Sequence, residues 1–215
     1  TDPFEYPDAP MDRGKVLWEE DMEKLLKRTD GKWGRYLDLD GDGIPYRTVL
    51  GNRHPKSAYF TRGTGHDEYA TYSEEPGVWE RNQQRILHKF ETAKKLVPRP
   101  VINHMDGAEI GLISFGSTDP AIQEARAKLL EGGIPSDHLR VRSIPFTPEV
   151  KKFIREHKQI YVIEGNQDGQ LRQLLTLYAP GLATRLKKVA HLDGLPLTAR
   201  WITGQIMKKG GNNHD

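Results

Sequence analysis

The chain has 215 residues, of which 36% are hydrophobic and 29% are charged, with 32 Lys and Arg against 30 Asp and Glu and no cysteine. The lack of thiols excludes disulfide scaffolds, cysteine nucleophiles, and zinc or iron–sulfur sites with cysteine ligands from this chain. A net charge of +2 gives no broad attraction for nucleic acid, and no apolar run reaches the roughly 18 residues of a membrane-spanning helix. We therefore expect a cytoplasmic protein that binds neither nucleic acid nor membrane.

The first half of the chain, residues 1–108, shows little regular patterning. Apolar spacing predicts a helix over 17–28 and an amphipathic helix over 78–97. The second helix has an apolar stripe formed by Trp79, Ile86, Phe90, Ala93 and Val97. Residues 30–76 are rich in Gly, Asp, Pro and Tyr, which is typical of loops that carry function or are held by a partner. We predict that 1–108 is a loop-rich connecting segment.

A candidate metal motif lies in this segment. Asp38, Asp40 and Asp42 alternate along a turn that contains glycine, as carboxylates do at the start of a calcium-binding loop. Such oxygen ligands suit Ca²⁺ or Mg²⁺. The twelfth position, however, is Val49 rather than a bidentate Glu. The alternative interpretation is an Asx-rich turn without metal.

A second polar segment follows. Arg62, His66, Asp67 and Glu68 fall within seven residues, beside two glycines that allow a sharp bend. An arginine can clamp an anion, and the other three side chains can titrate. These four are candidate active-site residues. The alternative is a surface loop whose charges pair with one another.

From residue 109 to 207, short β-branched runs alternate with capped helical stretches, as in βαβ units around a parallel sheet. The predicted strands are 109–116, 139–146, 159–164 and 187–192. The predicted helices are 119–131, 147–157, 170–178 and 198–207. This order predicts a doubly wound α/β domain with four or five strands, followed by a disordered tail over 208–215.

The turns after the first and third of these strands contain Ser117 and Asn166. Ligands of open α/β sheets bind at the carboxyl ends of strands, close to helix N-termini that favour anions. Ser117 and Asn166 are therefore candidate cofactor-binding residues. The alternative is that both turns only cap helices.

Several strings occur together in one order. They are Asp12-Arg13-Gly14-Lys15, residues 42–47 (DGIPYR), His54-Pro55-Lys56, residues 61–68 (TRGTGHDE), Lys89-Phe90-Glu91-Thr92, Gly116-Ser117-Thr118, residues 164–171 (EGNQDGQL) and residues 193–199 (DGLPLTA). In this order the strings resemble the C-terminal part of the alpha subunit of 2-oxoacid:ferredoxin oxidoreductases, closest to the 2-oxoglutarate type. The similarity covers nearly the whole chain.

This resemblance implies a three-layer α/β/α, mostly parallel domain of the transketolase C-terminal type over 109–207. It implies that further domains of the alpha subunit precede this part, which agrees with a first residue, Thr1, that is not methionine. Thiamine diphosphate, magnesium and a [4Fe-4S] cluster would lie in a beta subunit, with ferredoxin as electron acceptor and coenzyme A as co-substrate. The family's segments that bind the 2-oxoacid do not occur here, so no catalytic residue is carried over.

The implied reaction is oxidative decarboxylation of 2-oxoglutarate, with this chain inactive on its own and supplying structure and loops at the mouth of the active site. Under this interpretation Arg62 and His66 face the second carboxylate of the substrate or a coenzyme A phosphate. Three alternatives remain open. The complex could act on pyruvate or branched-chain 2-oxoacids; the chain could be a non-catalytic module stabilised by Ca²⁺; or it could carry coenzyme A or a nucleotide at the strand-end turns.

Overall fold

A computed structural model describes residues 14–60 and 63–211. The chain divides into two compact units, Thr1–Ala93 and Lys94–Asp215. No helix among the described residues is both long enough and apolar enough to cross a membrane.

The first unit has few regular elements. They are the short strands β1 (Val16–Leu17) and β2 (Arg47–Thr48), which pair in parallel, and the helices α1 (Glu19–Arg28) and α2 (Pro76–Leu96). Helix α1 begins two residues later than predicted and buries Met22 and Leu25. These two side chains and Leu17 form a small core, against which Trp33, Leu39 and Tyr46 pack. Loops therefore supply half of this core.

Helix α2 contacts the loops of the first unit through its polar side. The side chains of Asn82, Arg85 and Thr92 donate hydrogen bonds to loop carbonyl oxygens at 2.7, 3.2 and 2.7 Å. Trp79 and Phe90, on the predicted apolar stripe, are 60% and 50% exposed. Backbone hydrogen bonding of the loops, rather than hydrophobic periodicity, thus decides which side of α2 faces them.

The second unit contains a five-stranded sheet, and its mostly parallel α/β architecture confirms the prediction. Its strands are β3 (Val101–Asn103), β4 (Ile110–Phe115), β5 (Ser136–Val141), β6 (Gln159–Glu164) and β7 (Leu186–Ala190). The spatial order is β3-β5-β4-β6-β7, in which only β3 is antiparallel to its neighbour. Its helices are α3 (Asp119–Glu131), α4 (Pro148–Glu156), α5 (Gln170–Tyr178) and α6 (Ala199–Gly211).

The two faces of the sheet carry separate apolar cores, which makes three layers. Side chains of α4 and α5, such as Phe153 and Leu175, pack on one face around Ile113 and Val162. Those of α3 and α6 pack on the other face around Leu112, Tyr161 and Ile163. Since β4 and β6 are covered on both faces, their apolar residues run consecutively, and this is the pattern that identified them in the sequence.

The largest differences from the prediction concern three elements. Strand β5 covers Ser136–Val141 rather than 139–146, because it begins with polar residues, of which Asp137 and His138 find side-chain partners only in the folded unit. Strand β3 was not predicted; it is three residues long and lies at the sheet edge. Helix α6 continues to Gly211, into the region predicted as a tail, and residues 212–215 lie outside the described part of the chain.

Candidate functional site

The carboxyl ends of β4 and β6 meet at the centre of the sheet. The chain leaves β4 into α3 on one face, and it leaves β6 into α5 on the other. Loops that diverge in this way open the crevice in which α/β proteins bind ligands. The turns that contain Ser117 and Asn166 are the two turns at this point, so the topology places both predicted residues at one edge of the sheet.

Asn166 takes part in a closed hydrogen-bond network. Its amide nitrogen donates to Glu164 Oε2 at 2.7 Å, and its oxygen accepts from the backbone N–H of Gly169 at 2.8 Å and of Gln170 at 3.1 Å. The Glu164 carboxylate is fully buried and accepts the N–H of Leu171, in the first turn of α5, at 2.7 Å. Asn166 therefore positions the start of α5, which favours the capping interpretation for this turn.

Ser117 differs, because it lies in the 3₁₀ turn Gly116–Thr118 and is exposed. Within the described ranges, its hydroxyl makes no hydrogen bond with another residue. Gly116 has φ +60°, a left-handed conformation that glycine adopts without strain. Ser117 is thus the predicted binding residue whose side chain is available to a ligand.

An apolar cavity of about 510 Å³ lies beside these turns. Phe115 and Val141 close it at the strand ends, and Leu171 and Leu174 of α5 form the opposite wall. Its size is that of a small-molecule site, and Arg142 and Gln170 supply polar groups at the lining. Sequence reasoning identified the turns but not this cavity, whose walls come from three separate parts of the chain.

Beneath the same edge lies a buried serine–histidine pair that the sequence did not indicate. Ser114 Oγ is 2.9 Å from His138 Nε2, and both residues are fully buried. His138 Nδ1 is 3.9 Å from the Asp119 carboxylate and has no hydrogen-bond partner in the described structure. Burial lowers the pKa of His138 to about 4, so the ring is neutral at pH 7. Since Ser114 is closed to solvent, this pair stabilises the fold and does not attack a substrate.

A second histidine cluster lies at the opposite, amino end of the strands. Asp137 accepts hydrogen bonds from His104 Nδ1 at 2.6 Å, from His157 Nε2 at 3.1 Å and from the Met105 N–H at 2.8 Å. Burial alone would raise the pKa of Asp137, but these hydrogen bonds outweigh it and hold the pKa below its usual value. Because ligands of open α/β sheets bind at the carboxyl ends of the strands, the position of this cluster at the amino ends indicates a structural role.

In the first unit, the described part of the segment predicted as an active-site loop, residues 63–68, leads into a turn whose side chains are hydrogen-bonded. Asp67 accepts the backbone N–H groups of Tyr69 and Thr71, and the Glu68 carboxylate pairs with Arg81 at 2.8 Å. This hydrogen bond from Arg81 keeps the pKa of Glu68 below its usual value. His66 stacks on the ring of Tyr36, with centroids 4.0 Å apart.

All three described side chains therefore have intramolecular partners, as the surface-loop alternative expects. The fourth predicted residue, Arg62, lies outside the described residues. A cavity of about 470 Å³ adjoins this turn, lined in part by Gly65, Tyr72 and Trp79. It offers aromatic surface, with Trp79 60% exposed.

The predicted metal motif forms a turn in which the ammonium group of a lysine lies between two of the carboxylates. Lys15 Nζ is 2.7 Å from Asp40 and 2.8 Å from Asp42. The hydrogen bond from Lys15 keeps the pKa of Asp40 below its usual value. Asp38 points to the backbone, accepting the N–H groups of Gly41 and Gly43 at 2.9 and 2.8 Å.

The three carboxylates thus do not converge on one point. Across 14–60 and 63–211, no group of three or more His, Asp or Glu residues is arranged to hold a metal ion. The donor set of Asp38, Asp40 and Asp42 does not fit Ca²⁺ or Mg²⁺ in this structure, because two of the carboxylates are neutralised by an ammonium group and the third closes the turn.

Comparisons with known proteins point to one family. No family model matches the chain. It is 28% identical over 193 residues to 2-oxoacid:ferredoxin oxidoreductase 2, subunit alpha, from Aeropyrum pernix, covering 86% of this chain and 28% of that protein. It is 25% identical over 159 residues to a 2-oxoacid:ferredoxin oxidoreductase subunit alpha from Saccharolobus solfataricus, covering 72% of this chain and 24% of that one.

A solved structure shares the fold. It is 2-oxoglutarate:ferredoxin oxidoreductase from Magnetococcus marinus with 2-oxoglutarate, coenzyme A and succinyl-CoA bound. The match has a TM-score of 0.67 at 21% identity and covers 83% of this chain and 31% of that one. This chain therefore spans between 24% and 28% of the length of the curated relatives that it matches.

Proposed function

We propose that this chain, a homologue of the alpha subunits of 2-oxoacid:ferredoxin oxidoreductases that corresponds to their C-terminal part, serves in a 2-oxoglutarate:ferredoxin oxidoreductase. The observation that carries the proposal is the agreement of two measures, sequence similarity over 86% of the chain and a common fold over 83% of it. The proposed preference for 2-oxoglutarate rests on the substrate named for the solved relative and on the ordered sequence motifs described above.

In this proposal the chain provides structural support and the loops at the mouth of the active site. The side chains at the strand ends support this view, because Glu164 and Asn166 use their hydrogen bonds to hold the start of α5 in place. Such groups hold a surface in place but are not free to move protons. We place the complex in the cytoplasm.

The cofactors fit this division. Thiamine diphosphate with magnesium would supply decarboxylation and a [4Fe-4S] cluster electron transfer in a beta subunit, with coenzyme A as acyl acceptor and ferredoxin as electron acceptor. A chain of 215 residues without cysteine supplies no thiolate for such a cluster. In the second unit, the exposed side chain of Ser117 and the apolar cavity beside its turn are available to a ligand.

The test is reconstitution with a cysteine-containing beta subunit and the rest of the alpha subunit. We expect ferredoxin reduction that depends on coenzyme A and is faster with 2-oxoglutarate than with pyruvate or branched-chain 2-oxoacids. The isolated chain should be inactive. Turnover by the isolated chain, or a complex that forms but oxidises no 2-oxoacid, would overturn the proposal, whereas preference for pyruvate would overturn only the substrate assignment.

The loop at the mouth has its own test in that complex. We expect Arg62→Ala to raise the KM for 2-oxoglutarate or coenzyme A about tenfold, because it removes a bidentate contact to a carboxylate or phosphate. Arg53→Ala, at an exposed arginine in the preceding loop, is the control and should leave both constants unchanged. Unchanged constants in both variants would show that the loop does not reach either substrate.

The alternative of a module stabilised by Ca²⁺ finds less support. Lys15 already neutralises Asp40 and Asp42, so an added cation would have to displace an ammonium group from two short ion pairs. We expect Ca²⁺ at millimolar concentration to leave the thermal unfolding midpoint of the chain unchanged. A large upward shift would favour the module.

A further inference from the structure

The first unit contains a row of aromatic and cationic side chains in contact. The guanidinium carbon Cζ of Arg35 lies 5.2 Å from the centroid of the Tyr36 ring and 5.7 Å from that of the Tyr59 ring. Tyr36 stacks in turn on His66, with centroids 4.0 Å apart and an interplanar angle of 22°. His66 belongs to the segment that we predicted to face a substrate anion, so Tyr36 links Arg35 to that segment.

Arg35 differs from other arginines of the chain in how its N–H groups are used. The other described arginines that are at least partly buried each donate a hydrogen bond to a main-chain carbonyl oxygen; they are Arg85, Arg126, Arg140, Arg172 and Arg185. Arg35 is also partly buried, but within the described ranges it makes no hydrogen bond or ion pair with another residue. Since partly buried donors are normally paired, the five N–H groups of Arg35 face either water or a bound acceptor.

The contacts with the two tyrosines are themselves favourable, because an arginine is attracted to the faces of aromatic rings. A purely structural role for Arg35 would consist of these contacts alone. They leave the N–H groups of the guanidinium unused, however, and they limit the conformations that its long side chain can adopt. A guanidinium held in this way is a fork of donors that matches two oxygens of a carboxylate or a phosphate.

Arg85 of α2 adds positive charge near Arg35. Its Nη1 donates to Gly43 O at 3.2 Å, and its Nε is buried without a partner in the described structure. Burial lowers the pKa of Arg85, and the positive charge of Arg35 lowers it further. The nearby carboxylates are engaged elsewhere, since Asp38 accepts N–H groups of its own turn and Glu68 pairs with another arginine of α2. An anion beside Arg35 would relieve the repulsion between the two arginines.

We propose that Arg35 is a substrate-binding residue of the loops at the mouth of the active site, and that its guanidinium donates two N–H groups to a carboxylate or phosphate of the substrate. Tyr36 and Tyr59 hold the guanidinium in place, and Arg85 adds to the positive potential around it. This inference rests on the proposed function, because it takes the anion to be the second carboxylate of 2-oxoglutarate or a phosphate of coenzyme A.

The test uses the reconstituted complex described above and the variant Arg35→Gln, which removes both the charge and the fork. We expect the KM for one anionic substrate to rise about tenfold, while kcat changes less than about twofold. Matched substrates identify the anion. If Arg35 binds the carboxylate, the KM for 2-oxoglutarate rises but that for 2-oxobutyrate, which has no second carboxylate, does not. If it binds a phosphate, the KM for coenzyme A rises but that for pantetheine, which has no phosphate, does not. Both results support the proposal.

The control is Arg53→Gln, which removes the same charge at an exposed arginine of the first unit. It should leave the KM for all four compounds unchanged. Two results with Arg35→Gln would overturn the proposal: unchanged constants, or an equal rise in KM for each anionic substrate and for its matched compound. An equal rise is what a purely structural role of Arg35 would produce.

A second measurement uses the unaltered complex, so it does not depend on whether Arg35→Gln folds. Arginines are modified with phenylglyoxal and identified by peptide mass spectrometry. Saturating 2-oxoglutarate or coenzyme A should slow the modification of Arg35 at least about threefold and leave that of Arg53 unchanged. Equal rates for Arg35 with and without both substrates would overturn the inference. A complex that oxidises no 2-oxoacid would overturn the proposed function instead, and the protection of Arg35 would still decide whether it binds an anion.

Discussion

His138 makes the stability of the second unit depend on pH. Because burial lowers its pKa from 6.5 to about 4, the unfolded chain binds a proton more readily than the folded one between these values. Stability is therefore complete above about pH 6.5 and is lost as the pH falls towards 4. This shift corresponds to about 3 kcal/mol in total, of which about 2 kcal/mol falls between pH 7.5 and pH 5.

The perturbation is His138→Gln, which cannot take up this proton and can keep a polar atom near Ser114 Oγ. We expect the variant to be less stable than the parent at pH 7.5, because a buried ring is replaced. Between pH 7.5 and pH 5 the parent should lose about 2 kcal/mol more than the variant. Other titrating groups are common to both chains, so their contributions cancel in this difference.

The assay is a urea titration followed by hydrogen-exchange mass spectrometry on peptides that contain β4 and β5, which reports the free energy of unfolding of the second unit alone. His88→Gln, at an exposed histidine of α2, is the control and should follow the parent at both pH values. A parent and a His138→Gln variant with parallel pH profiles would refute the assigned burial and charge state of His138.

Two further substitutions test particular contacts. Gly43→Ala should destabilise the first unit by about 3 kcal/mol or more, because φ is +78° and the new Cβ would lie 2.4 Å from the Lys89 backbone nitrogen. Gly41→Ala is the control. Its φ is +71° but the space around it is open, so it should destabilise the unit by only about 1 kcal/mol. Urea denaturation followed through α2 measures both, and equal losses would contradict the close approach. Glu164→Gln should destabilise the second unit by about 2 kcal/mol, because the carboxylate accepts N–H groups at the start of α5. Glu131→Gln, at an exposed residue, is the control and should leave the urea unfolding midpoint of the second unit unchanged. A Glu164→Gln variant as stable as the parent would show that these hydrogen bonds do not stabilise α5.

The alternation of strands and helices in the second unit could be predicted because both faces of its sheet are covered. β6 is almost continuously apolar for this reason, and α5 occupies the predicted range, Gln170–Tyr178. The turns of Ser117 and Asn166 could be placed at one edge because parallel strands present their carboxyl ends together. The ordered strings of the sequence indicated the family that the comparisons later supported.

Other features depended on contacts between distant residues. Local pattern could not show that Lys15 would neutralise Asp40 and Asp42, since the lysine lies 25 residues from the nearer carboxylate. Nor could it show that β5 begins at Ser136 with polar residues. Asp137 is held there by His104 and His157, and His138 by Ser114.

The sequence alone determined the alternation of the main strands and helices of the second unit, the absence of cysteine chemistry and the resemblance to a family, because periodicity, composition and ordered strings are local or linear properties. The tertiary structure decided which charges are neutralised, as for Asp40 and Asp42, and which polar groups are buried, as for His138. Those outcomes depend on distances between side chains from separate elements. Such distances exist only after the chain has folded, since electrostatic and hydrogen-bond energies are set by spatial separation and burial rather than by position along the chain.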